Sequence, residues 1–290
     1  MSRRPLTLLT LALACALGAL LVWLAAFSVP FGQRLDASAL AAFGVVAQPR
    51  LEPSIHGVAS LANLLPLIII ASALVCVALL RRRWLMAALV PAILLAANSF
   101  TQLAKPGLAH PRIVELSGVE GVYPASWPSG HSTVAMSLAL CAVLVAGPGL
   151  RPLAAVLGSA YAIAVGYSLV ALGFHLPSDV LGGFLVAATF TLLGTAALAR
   201  LEGLHPQPTS SVNVAPSRRA GAASVPRSLV VPAVVALTTL VLGGLALLAH
   251  HPGAAGHLGG KPAAALAAVG IAALGVALTA SLTLALRSDD

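Results

Sequence analysis

Apolar runs of about 20 residues, the length that spans a bilayer as a helix, recur along this chain and narrow its fold before any motif is considered. Inside hydrocarbon the backbone must satisfy its own hydrogen bonds, and for an isolated run only a helix does so. The runs are Leu6–Val29, Val58–Leu80, Trp84–Ala104, Ser132–Ala146, Arg151–Phe174, Pro177–Ala199, Leu229–Ala249 and Pro262–Leu286. They predict an all-α, polytopic membrane helix bundle of about eight spans. Charge agrees: 8% of the 290 residues are charged, against about 25% in a soluble domain.

The rest of the chain divides around these runs. Arg3 and Arg4 ahead of Leu6 resemble a signal-peptide start, but the apolar run continues well past Cys15, which predicts an uncleaved first helix. Residues 30–57 read as a solvated connector with no chemistry of its own. Residues 201–228, rich in proline, serine and alanine, read as a flexible cytoplasmic linker. The expected organisation is a six-helix core over 1–200, the linker over 201–228, and a C-terminal pair of spans over 229–290. That pair either packs on the core or recruits a membrane-protein partner.

The net charge of +8 raises the question of nucleic acid. Its basic residues are scattered among short loops, which is how topology signals are distributed, so no nucleic-acid partner is expected. With the N-terminus inside, Arg3, Arg4, Arg81, Arg82, Arg83, Arg151, Arg200, Arg218, Arg219, Arg227 and Arg287 are cytoplasmic. Arg34, Arg50, Lys105, Arg112 and Lys261 are then outside, and the imbalance favours both termini in the cytoplasm. Cys15, Cys76 and Cys141 lie in apolar runs and form no disulfide or zinc pattern. His250, His251 and His257 read as residues of a solvated, glycine-rich loop.

Alternating topology brings one set of polar residues to the extracytoplasmic side: Lys105, Arg112, Ser129, Gly130, His131, His175 and Asp179. Ser129 is a natural N-cap for the helix that follows, and a helix start offers unpaired N–H groups to an anion. Lys105 supplies a compact charge and Arg112 a planar fork for phosphate oxygens. Two imidazoles permit attack by one ring and proton delivery by the other. Asp179 can accept from one nitrogen of His175 and fix its tautomer. Taken singly, Lys105 and Arg112 also read as interface anchors, and His175 with Asp179 as a structural pair or half of a metal site.

The run Lys105-x6-Arg112, then Pro128-Ser129-Gly130-His131, then Ser168-x6-His175-x3-Asp179 resembles the three-part signature of the type 2 phosphatidic acid phosphatase (PAP2) superfamily. That resemblance covers about two thirds of the chain and implies a membrane-embedded lipid phosphate or prenyl pyrophosphate phosphatase, undecaprenyl pyrophosphate being one such substrate, as in bacterial members. It implies His175 as the nucleophile of a phosphohistidine intermediate, Asp179 as its orienting partner and His131 as proton donor and then base. Lys105, Arg112, Ser129 and Gly130 would bind phosphate; no metal or other cofactor is implied. Membrane lipids surround the site, and the expected location is the inner membrane with the site on its outer face.

Two positions depart from the family pattern. Ile113 follows Arg112 where proline is usual, and Leu169 follows Ser168 where arginine is usual. Leucine cannot donate to phosphate, and a charge-assisted hydrogen bond is worth roughly 1.5–3 kcal/mol, or about 10–150-fold in rate. Tyr167 or a loop residue is the expected substitute for that cation. The rival readings are a lipid-phosphate binder or transporter without turnover, and a structural scaffold.

Overall fold

The computed structural model describes residues 3–44, 49–108, 125–204 and 262–286, and all regular structure among them is α-helix. The helices are α1 (Arg3–Ser28), α2 (Pro30–Gly44), α3 (Glu52–Ser60), α4 (Leu64–Leu80), α5 (Trp84–Leu108), α6 (Gly130–Val145), α7 (Arg151–Ala171), α8 (Pro177–Leu204) and α9 (Pro262–Ala285). Five of them (α1, α5, α7, α8 and α9) are long and apolar enough to cross a membrane, and α3 with α4 makes a bent sixth. The chain is a multi-pass membrane protein. The expected span Leu229–Ala249, the linker beyond Leu204, and the histidine group at 250–257 lie outside the described residues.

The centre of the bundle is α6. Thirteen of its 16 residues are buried, and it packs against α4, α5, α7, α8 and α9. Sixteen residues rise about 24 Å, less than the ~30 Å of hydrocarbon, so at least one end of α6 lies below the membrane surface. At the far end, arginines close the bundle. Arg81 and Arg83 donate to the carbonyls of Val145 and Leu144 at 2.9 and 3.1 Å. Arg151 donates to Leu286 O at 3.0 Å. Cations there satisfy the orphan carbonyls of a helix end and complement its dipole. The arginines expected as topology signals therefore also cap helices.

Two segments differ from the sequence reading. Residues 30–57 are no solvated connector: α2 and α3 occupy most of them, and Ala37, Ala39, Leu40, Ala42 and Phe43 are buried. An apolar face at three-to-four-residue spacing packs α2 against α1, α7 and α9, which outweighs the polar residues scattered through it. The run from Val58 to Leu80 is no straight span either. It breaks between Ser60 and Leu64, and its halves diverge by 46°. Asn63 is extended there (φ −72°, ψ 170°). Pro66 falls in the first turn of α4, where its missing N–H costs nothing.

Candidate active site

The end of the bundle opposite the arginines is built from two short turns. In the first, Ser129 is the N-cap of α6, as its residue type predicts, and its Oγ accepts from Ser132 N at 3.3 Å. Ser129 N donates to the carbonyl of Asp179 at 3.0 Å, which fastens this turn to α8. The approach is close because α8 carries Gly182 and Gly183 here. A methyl group on Gly183 would lie 2.7 Å from Ser129 O and 3.1 Å from Thr133 N. One on Gly182 would overlap the indole of Trp127, which is buried on α8.

The second turn links α7 to α8. Gly173, at φ 72°, ends α7 in the left-handed conformation that glycine accepts without strain. Gly173 N donates to Val170 O and Phe174 N to Leu169 O, both at 3.0 Å, closing the helix end. The reversal delivers His175 to the start of α8. Asp179, fully buried in the first turn of α8, accepts through Oδ2 from Leu176 N at 3.0 Å and pairs with His175 Nδ1 at 3.3 Å. No third His, Cys, Asp or Glu joins them as a metal-binding group among the described residues. Ser178, between these two, donates from both N and Oγ to the carboxylate of Asp36 on α2.

Lys105 sits in the last turn of α5 and reaches the same place. Its Nζ lies 3.9 Å from where a methyl group on Gly130 would be, and Gln102 Nε2 lies 3.2 Å from that point. His131 interacts electrostatically with His175 and Lys105, and Lys105 with Asp179. His131 Nε2 is hydrogen-bonded to Asn63 Oδ1 at 3.0 Å, across the break between α3 and α4. Lys105, Ser129, Gly130, His131, His175 and Asp179 thus share one end of the bundle. Arg112 lies outside the described residues.

The missing cation is not replaced by Tyr167. Its hydroxyl donates to Ala268 O on α9 at 2.6 Å, and a group so committed is not free for phosphate. Leu169 is buried in the apolar core, and the hydroxyl of Ser168 turns back to Val165 O at 2.7 Å. Beside the Ser129 turn an apolar cleft of about 320 Å³ runs between α1, α5 and α8, lined by Trp23, Phe100, Leu108, Trp127 and Phe190 among others.

Sequence reasoning missed Asn63, Gln102, Asp36 and the Gly182–Gly183 pair. Three had a signal: Asn63 and Gln102 are polar residues inside apolar runs, which ask for a partner, and adjacent small residues in a membrane helix mark a close contact.

A family model described as the PAP2 superfamily matches residues 85–201, which include Lys105, Ser129, Gly130, His131, His175 and Asp179. No curated protein matches the chain. Among solved structures it resembles the first transmembrane PAP2 type phosphatidylglycerolphosphate phosphatase, from Bacillus subtilis, at 23% identity and a TM-score of 0.53, over 66% of this chain and 96% of that one. At that identity the likeness is one of fold. The chain thus matches the PAP2 superfamily over residues 85–201 and shares the fold of that membrane structure.

Proposed function

We propose that this protein is a lipid phosphate or prenyl pyrophosphate phosphatase that works through a phosphohistidine intermediate on the extracytoplasmic face. One observation carries the reading: the Ser129–Asp179 hydrogen bond ties the His175–Asp179 pair to the start of α6, where His131 and Lys105 also lie. With Nδ1 of His175 paired to Asp179, Nε2 is the nitrogen available for attack. It bonds to phosphorus as the ester or anhydride P–O bond breaks, and His131 gives a proton to the departing oxygen. His131 then takes a proton from water, whose oxygen displaces His175 and releases inorganic phosphate. Asp179 stabilises the imidazolium formed in the first step. Lys105, Arg112 and the backbone N–H of Gly130, at the helix start that Ser129 caps, hold the phosphoryl oxygens, while the N–H of Ser129 itself is given to Asp179 O.

The apolar cleft beside Trp127 supports a lipid substrate, because a chain lying there would keep its phosphate at the α6 start. The arginines at the opposite end support an outward-facing site. The test is phosphate release by purified protein from prenyl phosphates, prenyl pyrophosphates including undecaprenyl pyrophosphate, phosphatidic acid and phosphatidylglycerol phosphate. A His175→Ala control and a chelator control accompany it. Release that depends on His175 and survives chelation is expected; none from any substrate overturns the reading.

A second reading rests on Leu169, which packs in the core where the family pattern has arginine. A protein of this kind would bind lipid phosphates and retain them unhydrolysed. It is distinguished by binding without release on the same panel.

A further inference from the structure

Asn63 has the extended backbone of a helix N-cap and stands immediately before α4, yet its side chain makes no cap hydrogen bond. Asparagine is among the strongest capping residues, so α4 forgoes stabilisation that this residue could supply. The side-chain oxygen instead meets His131 Nε2, 68 positions away, at 3.0 Å. The backbone break that permits this is itself anchored, since the Tyr161 hydroxyl on α7 donates to Leu61 O at 2.9 Å. A carbonyl oxygen only accepts, so Nε2 carries the hydrogen.

We propose that Asn63 is a positioning residue for His131, holding its Nε2–H so that Nδ1 is the nitrogen that gives and takes the proton. This rests on the role given to His131 above. The titratable groups whose charge reaches His131 are His175 on the α7–α8 turn and Lys105 on α5, and Asp179 on α8 acts in turn on Lys105. Positive charge on His175 or Lys105 works against an imidazolium at 131, and an oxygen on Nε2–H offsets it.

Asn63→Ala is expected to lower kcat about 10-fold or more with KM little changed. The alkaline limb of its pH–rate profile moves to lower pH, because the protonated ring has lost an acceptor. Asn63→Asp keeps the size, places a carboxylate on Nε2–H and moves that limb to higher pH. Nitrogen-15 NMR of histidine-labelled protein gives a readout independent of turnover: wild type shows the Nε2–H tautomer at residue 131, and Asn63→Ala a mixture. A wild-type Nδ1–H tautomer, or wild-type kcat and pH profile in both variants, overturns the proposal. A wild-type protein that releases no phosphate defeats the phosphatase reading instead, and the tautomer still decides whether Asn63 holds the ring.

Discussion

Asp36 on α2 accepts two hydrogen bonds from Ser178, one from its N–H at 3.1 Å and one from its hydroxyl, across 142 positions of sequence. Ser178 N is one of the unpaired donors at the start of α8, so a carboxylate from another helix caps the turn that bears Asp179. Each hydrogen bond to a buried charge contributes about 1.5–3 kcal/mol. Asp36→Ala should therefore lower the melting temperature in detergent and reduce phosphate release, with Asp36→Asn intermediate in both. A melting curve identical to wild type for the alanine variant would show that α8 is held without this cap.

The contact between α8 and the Ser129 turn leaves no room for a methyl group on Gly183, whose nearest neighbours include the backbone atoms Ser129 O and Thr133 N. Backbone cannot swing aside as a side chain can, so Gly183→Ala should cost about 1–3 kcal/mol and displace Asp179 relative to His131. Gly270 on α9 has open space at the same distance and serves as the control. Thermal melts and phosphate release on the two variants check this. Gly270→Ala should match wild type while Gly183→Ala loses both stability and activity.

Lys105 and Gln102 approach Gly130 from successive turns of α5. A charged donor to phosphate is worth more than a neutral one. Lys105→Met should lower kcat/KM about 10–150-fold, and Gln102→Leu about 2–10-fold. Steady-state kinetics at several ionic strengths checks the assignment. Equal losses in the two variants would mean that Lys105 does not meet the phosphate as a cation.

Much of the site was legible because its determinants are local. The Ser129 cap and the His175–Asp179 pair act over three and four positions, and such spacings can be read from a linear chain. The apolar runs gave most of the helices for the same reason. Residues 30–57 were misread because α2 owes its burial to neighbours on α1, α7 and α9. The partners of Asn63 and Asp36 were not legible, because they lie 68 and 142 positions away. The bond of Tyr167 to α9 has no signal in the sequence, since nothing within its own helix demands that contact.

Leu169 is where sequence and structure bear on one experiment. Its carbonyl accepts from Phe174 N and closes α7 just before His175, while its side chain lies in the apolar core. Leu169→Arg is expected to raise kcat/KM about 10-fold or more if the guanidinium reaches the phosphate, at a cost in melting temperature from burying charge. Kinetics and melts on one preparation separate the two effects. Lower stability with no gain in rate would remove the vacant cation as the limiting feature.

The ends of α8 and α9 define a topological requirement. From Pro177 at the site, α8 runs towards the end of the bundle closed by Arg81, Arg83 and Arg151. Near Tyr167, on the site side, α9 begins, and it finishes at Leu286 against Arg151. The chain therefore leaves α8 on one side of the membrane and enters α9 on the other. A single further crossing between them, expected from sequence at Leu229–Ala249, satisfies that requirement and puts both termini with the arginines. Single cysteines at 208 and 259, with Cys15, Cys76 and Cys141 replaced, should react with an impermeant maleimide from opposite faces of sealed vesicles. Labelling of both from the same face would contradict the antiparallel course of α7 and α9 on which this topology depends.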